Sequence, residues 1–105
     1  NNIEYLWYAA HSGDHEIYPD CRPEFIKKMS AVLEICDYHK IKFEAPFQSF
    51  SKSEIVKTGL AMGLDYSKAW TCYEGKEKPC CKCSACLERA LSFKANNTKD
   101  PLNDI

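Results

Sequence analysis

The sequence predicts an α/β fold, because short apolar segments with strand-like and helix-like spacing alternate along the chain. The predicted order is strand, helix, strand, helix, which is typical of one part of a layered α/β sheet. Five of the seven cysteines then fall between residues 72 and 86, which predicts a small metal-binding knuckle. We therefore expect a division into residues 1–70, an α/β portion, and residues 71–105, a knuckle with a final helix.

Composition restricts the class of protein. The 105 residues are 45% apolar and 28% charged, as in ordinary globular domains. The formal net charge of −1 argues against a protein that binds nucleic acid through a basic surface.

No apolar run approaches the roughly 20 residues that cross a bilayer, and the N-terminal stretch lacks the positive region of a signal peptide. We therefore expect a cytoplasmic location, no membrane and no direct nucleic-acid contact. Thiols stay reduced in that compartment, so metal binding or catalysis is favoured over a secreted disulfide scaffold.

The first strand is predicted within Ile3–Ala10, an apolar and aromatic run that hardly alternates and so indicates a buried strand. A loop rich in Gly, Asp and Pro follows. A helix is predicted to begin near Pro23, since proline suits the first helical turn. Its apolar stripe consists of Phe25, Met29, Val32, Leu33 and Cys36. Cys36 is therefore predicted to lie in the core.

A second strand is predicted within Ile41–Phe47, where apolar and charged residues alternate as in a half-exposed strand. Ser51 and Glu54 form a capping-box pattern that opens the next helix, and Gly63 is expected to end it. A last helix is predicted from about Ser84 to Asn96.

Two features leave this predicted fold incomplete. The tail from Asn96 to Ile105 is expected to be loosely held. Two strands are also few for a self-sufficient sheet, so we expect further strands from another segment or subunit.

The cysteine spacing predicts a tetrahedral metal site. Cys80, Cys83 and Cys86 repeat a two-residue gap twice, and Cys72 can close the fourth corner across the intervening loop. Cys81 adjoins Cys80 and is expected to point away from the ion. A register that uses Cys81 with Cys83 or Cys86 is the alternative. Structural zinc is the favoured occupant, with an iron–sulfur cluster or unmetallated thiols as the other interpretations.

Three motifs together resemble a known family. They are YPDCRPEFI (residues 18–26), SKSEI (51–55) and LDYSKAWTCY followed by the spaced cysteines (64–86). In this order they resemble the C-terminal half of the 7-cyano-7-deazaguanine synthase family, and the likeness extends from about Tyr8 to Pro101.

The resemblance implies an ATP-dependent ligase that converts 7-carboxy-7-deazaguanine and ammonia to the nitrile, in the pathway that modifies tRNA with queuosine. It implies a Rossmann-like parallel sheet of the adenine nucleotide alpha hydrolase-like (PP-loop) type, with residues 1–70 as the C-terminal portion of that domain. It also implies a zinc ion held by Cys72, Cys80, Cys83 and Cys86, with ATP and Mg²⁺ in the complete enzyme.

The sequence departs from the family in one respect. The family's phosphate-binding SGGxDS loop has no counterpart among these 105 residues, which contain four glycines. We therefore expect an N-terminal ATP-binding half, either in a longer polypeptide or in a separate chain. The family's pairing habit also predicts a homodimer.

No catalytic residue is predicted, but two candidate substrate-binding residues lie after the first strand. Ligands collect at the carboxyl ends of strands in open α/β sheets. Arg22 is a candidate for the substrate carboxylate or an ATP phosphate, and Asp20 for the deazaguanine edge or a magnesium ion. The alternative is a mutual contact between Asp20 and Arg22 that orders the loop. His11, Asp14 and His15 suggest a second metal site or an acid–base pair, against the simpler interpretation of a polar loop.

Two other functions remain open at this point. One is a non-catalytic zinc module that docks protein or RNA, which the absent phosphate loop favours. The other is a related PP-loop enzyme with a different substrate.

Overall fold

The computed structural model describes residues 2–103, so Asn1 and the last two residues of the predicted tail lie outside the described residues. The strands are β1 (Tyr5–Trp7) and β2 (Lys42–Glu44), and the helices are α1 (Pro23–Ile35), α2 (Lys52–Ala61) and α3 (Ser84–Ala95). This order confirms an α/β fold. Among the described residues, no helix has the length and apolar character needed to cross a membrane.

The chain divides into two compact units between Ser51 and Lys52. The first unit contains the sheet and α1, and the second contains the other two helices and the cysteine segment. This division by contacts does not test the functional division predicted after Trp70, which stays a prediction.

The first unit is built on a parallel pair of strands. Leu6 of β1 lies opposite Phe43 of β2, and α1 packs against β2. The alternation predicted for the second strand is confirmed, because Phe43 and Ala45 are buried while Lys42 is exposed. The core consists of Ala10, Ile26, Phe43 and Ala45, with Tyr8, Cys21, Phe25, Met29 and Leu33 packed around it.

Two predictions about burial in this unit are wrong. The β1 side chains are exposed instead of buried, at 48% for Tyr5, 47% for Leu6 and 70% for Trp7. The reason is that α1 packs chiefly against β2 and leaves β1 uncovered. Cys36 is also exposed, because α1 ends at Ile35 and Cys36 is its C-cap.

The second unit packs α2 against α3. A Cβ atom on Gly59 would overlap the Tyr66 hydroxyl, so glycine is needed where this ring crosses α2. The Tyr66 ring also meets Phe93 of α3 edge-on, with centroids 5.2 Å apart. Gly63 has a φ of +76°, and the Leu64 N–H donates to the Gly59 carbonyl. The predicted end of α2 at Gly63 is therefore confirmed.

A buried ion pair joins α3 to the C-terminal tail. Arg89 and Asp100 are 5% and 6% exposed. Arg89 Nε lies 2.6 Å from one oxygen of the Asp100 carboxylate, and Nη2 lies 2.8 Å from the other. The guanidinium also donates to the Tyr66 and Ala69 carbonyls. The prediction of a loosely held tail is therefore wrong at Asp100.

The Asp100 carboxylate is held in its charged form. Burial by itself raises its pKa, but hydrogen bonds from Arg89 and the Leu102 N–H, with the Arg89 charge, lower the pKa below its ordinary value. Breaking a buried pair by removing one partner is costly, because the other charge remains buried and unpaired.

We expect Arg89→Met to lower the free energy of unfolding by about 3–5 kcal/mol. The change keeps an apolar stem but leaves the Asp100 carboxylate and two carbonyls without their donor. Chemical denaturation followed by circular dichroism measures the loss. Lys68→Met is the matched control, because the Lys68–Asp65 pair is exposed and its removal should leave stability unchanged. Equal stability of the two variants would contradict the role of Arg89.

Candidate functional site

Four cysteine sulfurs form a cluster in the second unit. The Sγ atoms of Cys72, Cys80, Cys83 and Cys86 all lie within 4.8 Å of one another. Around a tetrahedral zinc ion with bonds of about 2.3 Å, neighbouring sulfurs lie roughly 3.8 Å apart. The cluster therefore has the donor number and spacing of a site that could hold a metal ion.

Backbone amides donate to the sulfurs of the cluster, as at Cys72 and Cys80. Cys72 Sγ accepts from the N–H groups of Glu74, at 3.4 Å, and Cys80, at 3.3 Å. Cys80 Sγ accepts from the N–H groups of Lys82, at 3.4 Å, and Cys83, at 3.3 Å. Donors placed in this way favour the thiolate, which is the form that binds a metal.

The pKa values of the thiols differ with their surroundings. The N–H groups of Tyr73 and then Cys86 lower the pKa of Cys83 to about 6. The Cys80 and Glu74 N–H groups lower the pKa of Cys72. Burial, together with hydrogen bonding to Cys83, raises the pKa of Cys86 to about 12. Burial therefore disfavours the thiolate of Cys86, and a bound cation would favour it.

The chain around the cluster fixes the four positions. Gly75 reverses the loop after Cys72 with a φ of +60°. Trp70 Nε1 donates to the Cys72 carbonyl at 2.9 Å. Cys83 is the N-cap of α3, so the helix carries Cys86 within its first turn. The ligand positions are thus set by one loop and one helix end.

Cys81 lies outside the cluster. Its φ is +58°, and its thiol lies 3.5 Å from the Pro79 carbonyl and 3.6 Å from Asn103 Oδ1. The left-handed backbone conformation turns this side chain away from its neighbour Cys80. The structure thus brings together the four predicted cysteines, and the alternative register with Cys81 does not form.

The two candidate substrate-binding residues lie in the first unit, between β1 and α1. Arg22 Nε donates to the His15 carbonyl at 2.7 Å, and Nη2 donates to the Glu16 carbonyl at 3.4 Å. Arg22 therefore orders the loop through backbone carbonyls instead of through Asp20. The Asp20 carboxylate lies 4.0 Å from Cys21 Sγ. Burial and then the Asp20 charge raise the pKa of Tyr8.

The predicted histidine and aspartate pair also forms in this loop. His11 Nε2 lies 2.9 Å from Asp14 Oδ2, and His11 Nδ1 accepts from the Gly13 N–H. Because Nδ1 accepts, Nε2 carries the proton and donates to the carboxylate. This pair holds the short turn Ser12–Asp14 at the carboxyl end of β1.

Sequence reasoning missed the buried pair of Arg89 and Asp100, in which Arg89 also holds the segment that leads to Cys72 through the Ala69 carbonyl. A signal was present in the sequence, because Arg89 follows Cys86 by three residues and precedes Phe93 by four. These positions lie on one helical face, and both of these neighbours are buried. An arginine on that face indicates a buried charge that needs an acidic partner.

Comparison with known proteins finds one matching family and several similar proteins. Residues 1–97 match the family described as queuosine biosynthesis protein QueC. The 7-cyano-7-deazaguanine synthase of Psychromonas ingrahamii is 57% identical over 99 residues, which cover 94% of this chain and 45% of that protein. The synthase of the same name from Marinobacter nauticus is 53% identical over 97 residues, which cover 92% of this chain and 44% of that protein. The chain thus spans less than half the length of these relatives.

Proposed function

Because this chain belongs to the QueC family of queuosine biosynthesis proteins, we propose that it supplies the metal-bearing part of a 7-cyano-7-deazaguanine synthase. The family match confirms the resemblance drawn from the three sequence motifs. The observation that carries the proposal is the four-sulfur cluster within a chain more than half identical to proteins of that name.

The proposed reaction converts a carboxylate to a nitrile at the expense of ATP. The 7-carboxy group of the deazaguanine is adenylated with release of pyrophosphate, and ammonia displaces AMP to give an amide. A second ATP adenylates the amide oxygen, which then leaves with AMP as the nitrile forms. Such chemistry needs a phosphate-binding loop, which backbone N–H groups at a helix N-terminus provide. We propose that an ATP-binding half with Mg²⁺ and a Rossmann-like sheet provides this loop, in the same polypeptide or in a second chain.

We propose that zinc is the metal, held by Cys72, Cys80, Cys83 and Cys86. Four sulfur donors suit zinc, and four thiolates leave no open coordination position. The ion would therefore stabilise the fold of the second unit and would not contact the substrate.

Asp20 and Arg22 are proposed to contact substrate or nucleotide. The support is their place after β1, at the carboxyl end of a parallel pair. Arg22 is exposed and uses two of its five N–H groups on the loop. The remaining donors form the side of the guanidinium fork that can bind a carboxylate or phosphate.

The alternative of a non-catalytic docking module is not favoured. The family match covers the β1–α1 loop as well as the knuckle, and a simple zinc module would not require that loop. The homodimer and the cytoplasmic location stay predictions.

The proposal is tested by combining this chain with the portion of the Psychromonas ingrahamii synthase that it does not match. With ATP, Mg²⁺, ammonia and 7-carboxy-7-deazaguanine, we expect the nitrile and AMP, detected by mass spectrometry. A reaction without ATP is the control. Absence of product from a stable zinc-loaded complex would contradict the proposed activity.

The zinc assignment predicts one zinc ion per chain by elemental analysis. We expect Cys72→Ser to weaken zinc binding by about 100-fold or more, since a lost ligand should cost at least as much as a lost outer-shell contact. Competition with a chromophoric chelator measures the affinity. Cys81→Ser is the matched control, because this neighbouring thiol faces away from the cluster, and it should retain full affinity. Iron with visible absorption would indicate a cluster instead of zinc.

If Arg22 contacts the substrate or the nucleotide, its substitution should lower catalytic activity while the fold stays intact. In the combined enzyme, Arg22→Lys should lower kcat/KM for the deazaguanine substrate or for ATP about 10-fold or more, because lysine cannot form the two-point contact. Lys27→Arg, an exposed change on the first turns of α1, should leave kcat/KM unchanged. Full activity of Arg22→Lys would remove this residue from the proposed site.

A further inference from the structure

A small apolar hollow lies where the two strands of the first unit end. Its volume is about 120 Å³. The residues that line it lie at or just past the carboxyl ends of β1 and β2, and they are Trp7, Tyr8, Ala9, Pro46 and Phe47. Ligands of parallel α/β sheets collect at this edge, which is also where Asp20 and Arg22 are proposed to contact the substrate.

Three of the five lining side chains are aromatic. Trp7 is 70% exposed, so its indole can receive another ring. Phe47 is half-buried and meets Phe50 edge-on, with ring centroids 5.4 Å apart. Aromatic walls favour a planar ring, which can stack on them or meet them edge-on. A closed apolar cavity of roughly 150 Å³ can hold benzene, so this open hollow has room for about one ring.

Tyr8 connects the hollow with Asp20. The Tyr8 N–H donates to the Glu44 carbonyl at 2.8 Å, and its ring centroid lies 5.9 Å from that of Phe25 and 5.6 Å from that of Phe43. These contacts fix the ring in the hollow's wall. After burial, the Asp20 charge is the largest cause of the raised pKa of Tyr8. The Asp20 carboxylate is therefore within electrostatic reach of the hollow.

We propose that the hollow holds the planar base of a deazaguanine substrate, with the Trp7 indole against its ring. The inference rests on the proposed function, which supplies the ligand, since the relatives are named for a 7-deazaguanine. The fused rings of this base are flat, and their faces suit aromatic walls. Its amino-pyrimidine edge carries N–H donors for the Asp20 carboxylate, and its 7-carboxylate can accept from the remaining donors of Arg22.

Two other occupants fit the hollow less well. The adenine ring of ATP carries only its amino group as a donor on the corresponding edge, whereas a guanine-like base offers two neighbouring N–H groups to the two oxygens of Asp20. An apolar side chain from the rest of the synthase would fill the space, but it would make no use of the carboxylate beside it. Substrate affinity would then not depend on an aromatic group at residue 7.

The test uses this chain combined with the unmatched portion of the Psychromonas ingrahamii synthase. Equilibrium dialysis without ATP measures the Kd for 7-carboxy-7-deazaguanine. We expect Trp7→Leu to raise this Kd about tenfold, as for a base that loses one stacked aromatic side chain. Trp7→Phe keeps an aromatic face and should stay within about twofold of the unsubstituted enzyme. Because Trp7 is exposed, both variants should keep their circular dichroism and zinc content.

Tyr38→Leu is the matched control, because Tyr38 is an exposed aromatic residue of the same unit and does not line the hollow. Its Kd should be unchanged. Fluorescence reports the contact directly, since a base that lies against the Trp7 indole should quench its emission. We expect this quenching in the unsubstituted enzyme and in Tyr38→Leu. Trp7→Phe should lose it while keeping its affinity, and a non-hydrolysable ATP analogue alone should not produce it.

Four outcomes would overturn the inference. They are the absence of substrate binding, an equal Kd for Trp7→Leu and Trp7→Phe, quenching that persists in full in Trp7→Phe, and Trp7-dependent quenching by the ATP analogue alone. The nitrile assay is run separately on the same protein. Substrate binding with the expected effects but without nitrile product refutes the reaction and keeps the base site, whereas nitrile product without those effects refutes only the base site.

Discussion

The second unit depends most on the ion pair and the hydrogen bonds that the Arg89 guanidinium makes. One side chain joins α3 to the Asp100 carboxylate and to the Tyr66 and Ala69 carbonyls. The two carbonyls belong to one stretch of chain and Asp100 to another, and Ala69 lies three residues before Cys72, the first cysteine of the cluster. Since the helix that carries Arg89 also carries Cys86, the hydrogen bond to the Ala69 carbonyl ties this helix to the segment that leads to Cys72.

The four sulfurs of the cluster differ in how readily they take the thiolate form. Backbone N–H groups lower the pKa of Cys72 and of Cys83, which favours their thiolate forms. Cys86 is the opposite case, because burial opposes its charge. A cation held by the four sulfurs would offset that cost.

The features predicted correctly from the sequence are those set by residues that lie close together along the chain. The end of α2 follows from Gly63 and its positive φ, and the burial of Phe43 and Ala45 follows from alternation along β2. The four-sulfur cluster follows from a spacing that short loops can satisfy. Cys36 was assigned to the core because the helix was extended past its real end. Asp100 was assigned to a loose tail because its partner lies 11 residues away, on a helix face whose single charge was overlooked.

The failure at β1 has a different origin, since the sequence pattern there is strong and the structure does not satisfy it. Natural edge strands are commonly protected by charge, proline or a bulge. β1 has none of these within Tyr5–Trp7, and the Lys42 ammonium, 5.4 Å from the centre of the Tyr5 ring, reaches it only from the paired side. A sequence that selects apolar side chains for both faces of a strand, and omits edge protection, specifies an interior position. The mismatch between pattern and exposure at β1 arises because α1 packs chiefly against β2 and leaves the side chains of Tyr5, Leu6 and Trp7 uncovered among residues 2–103.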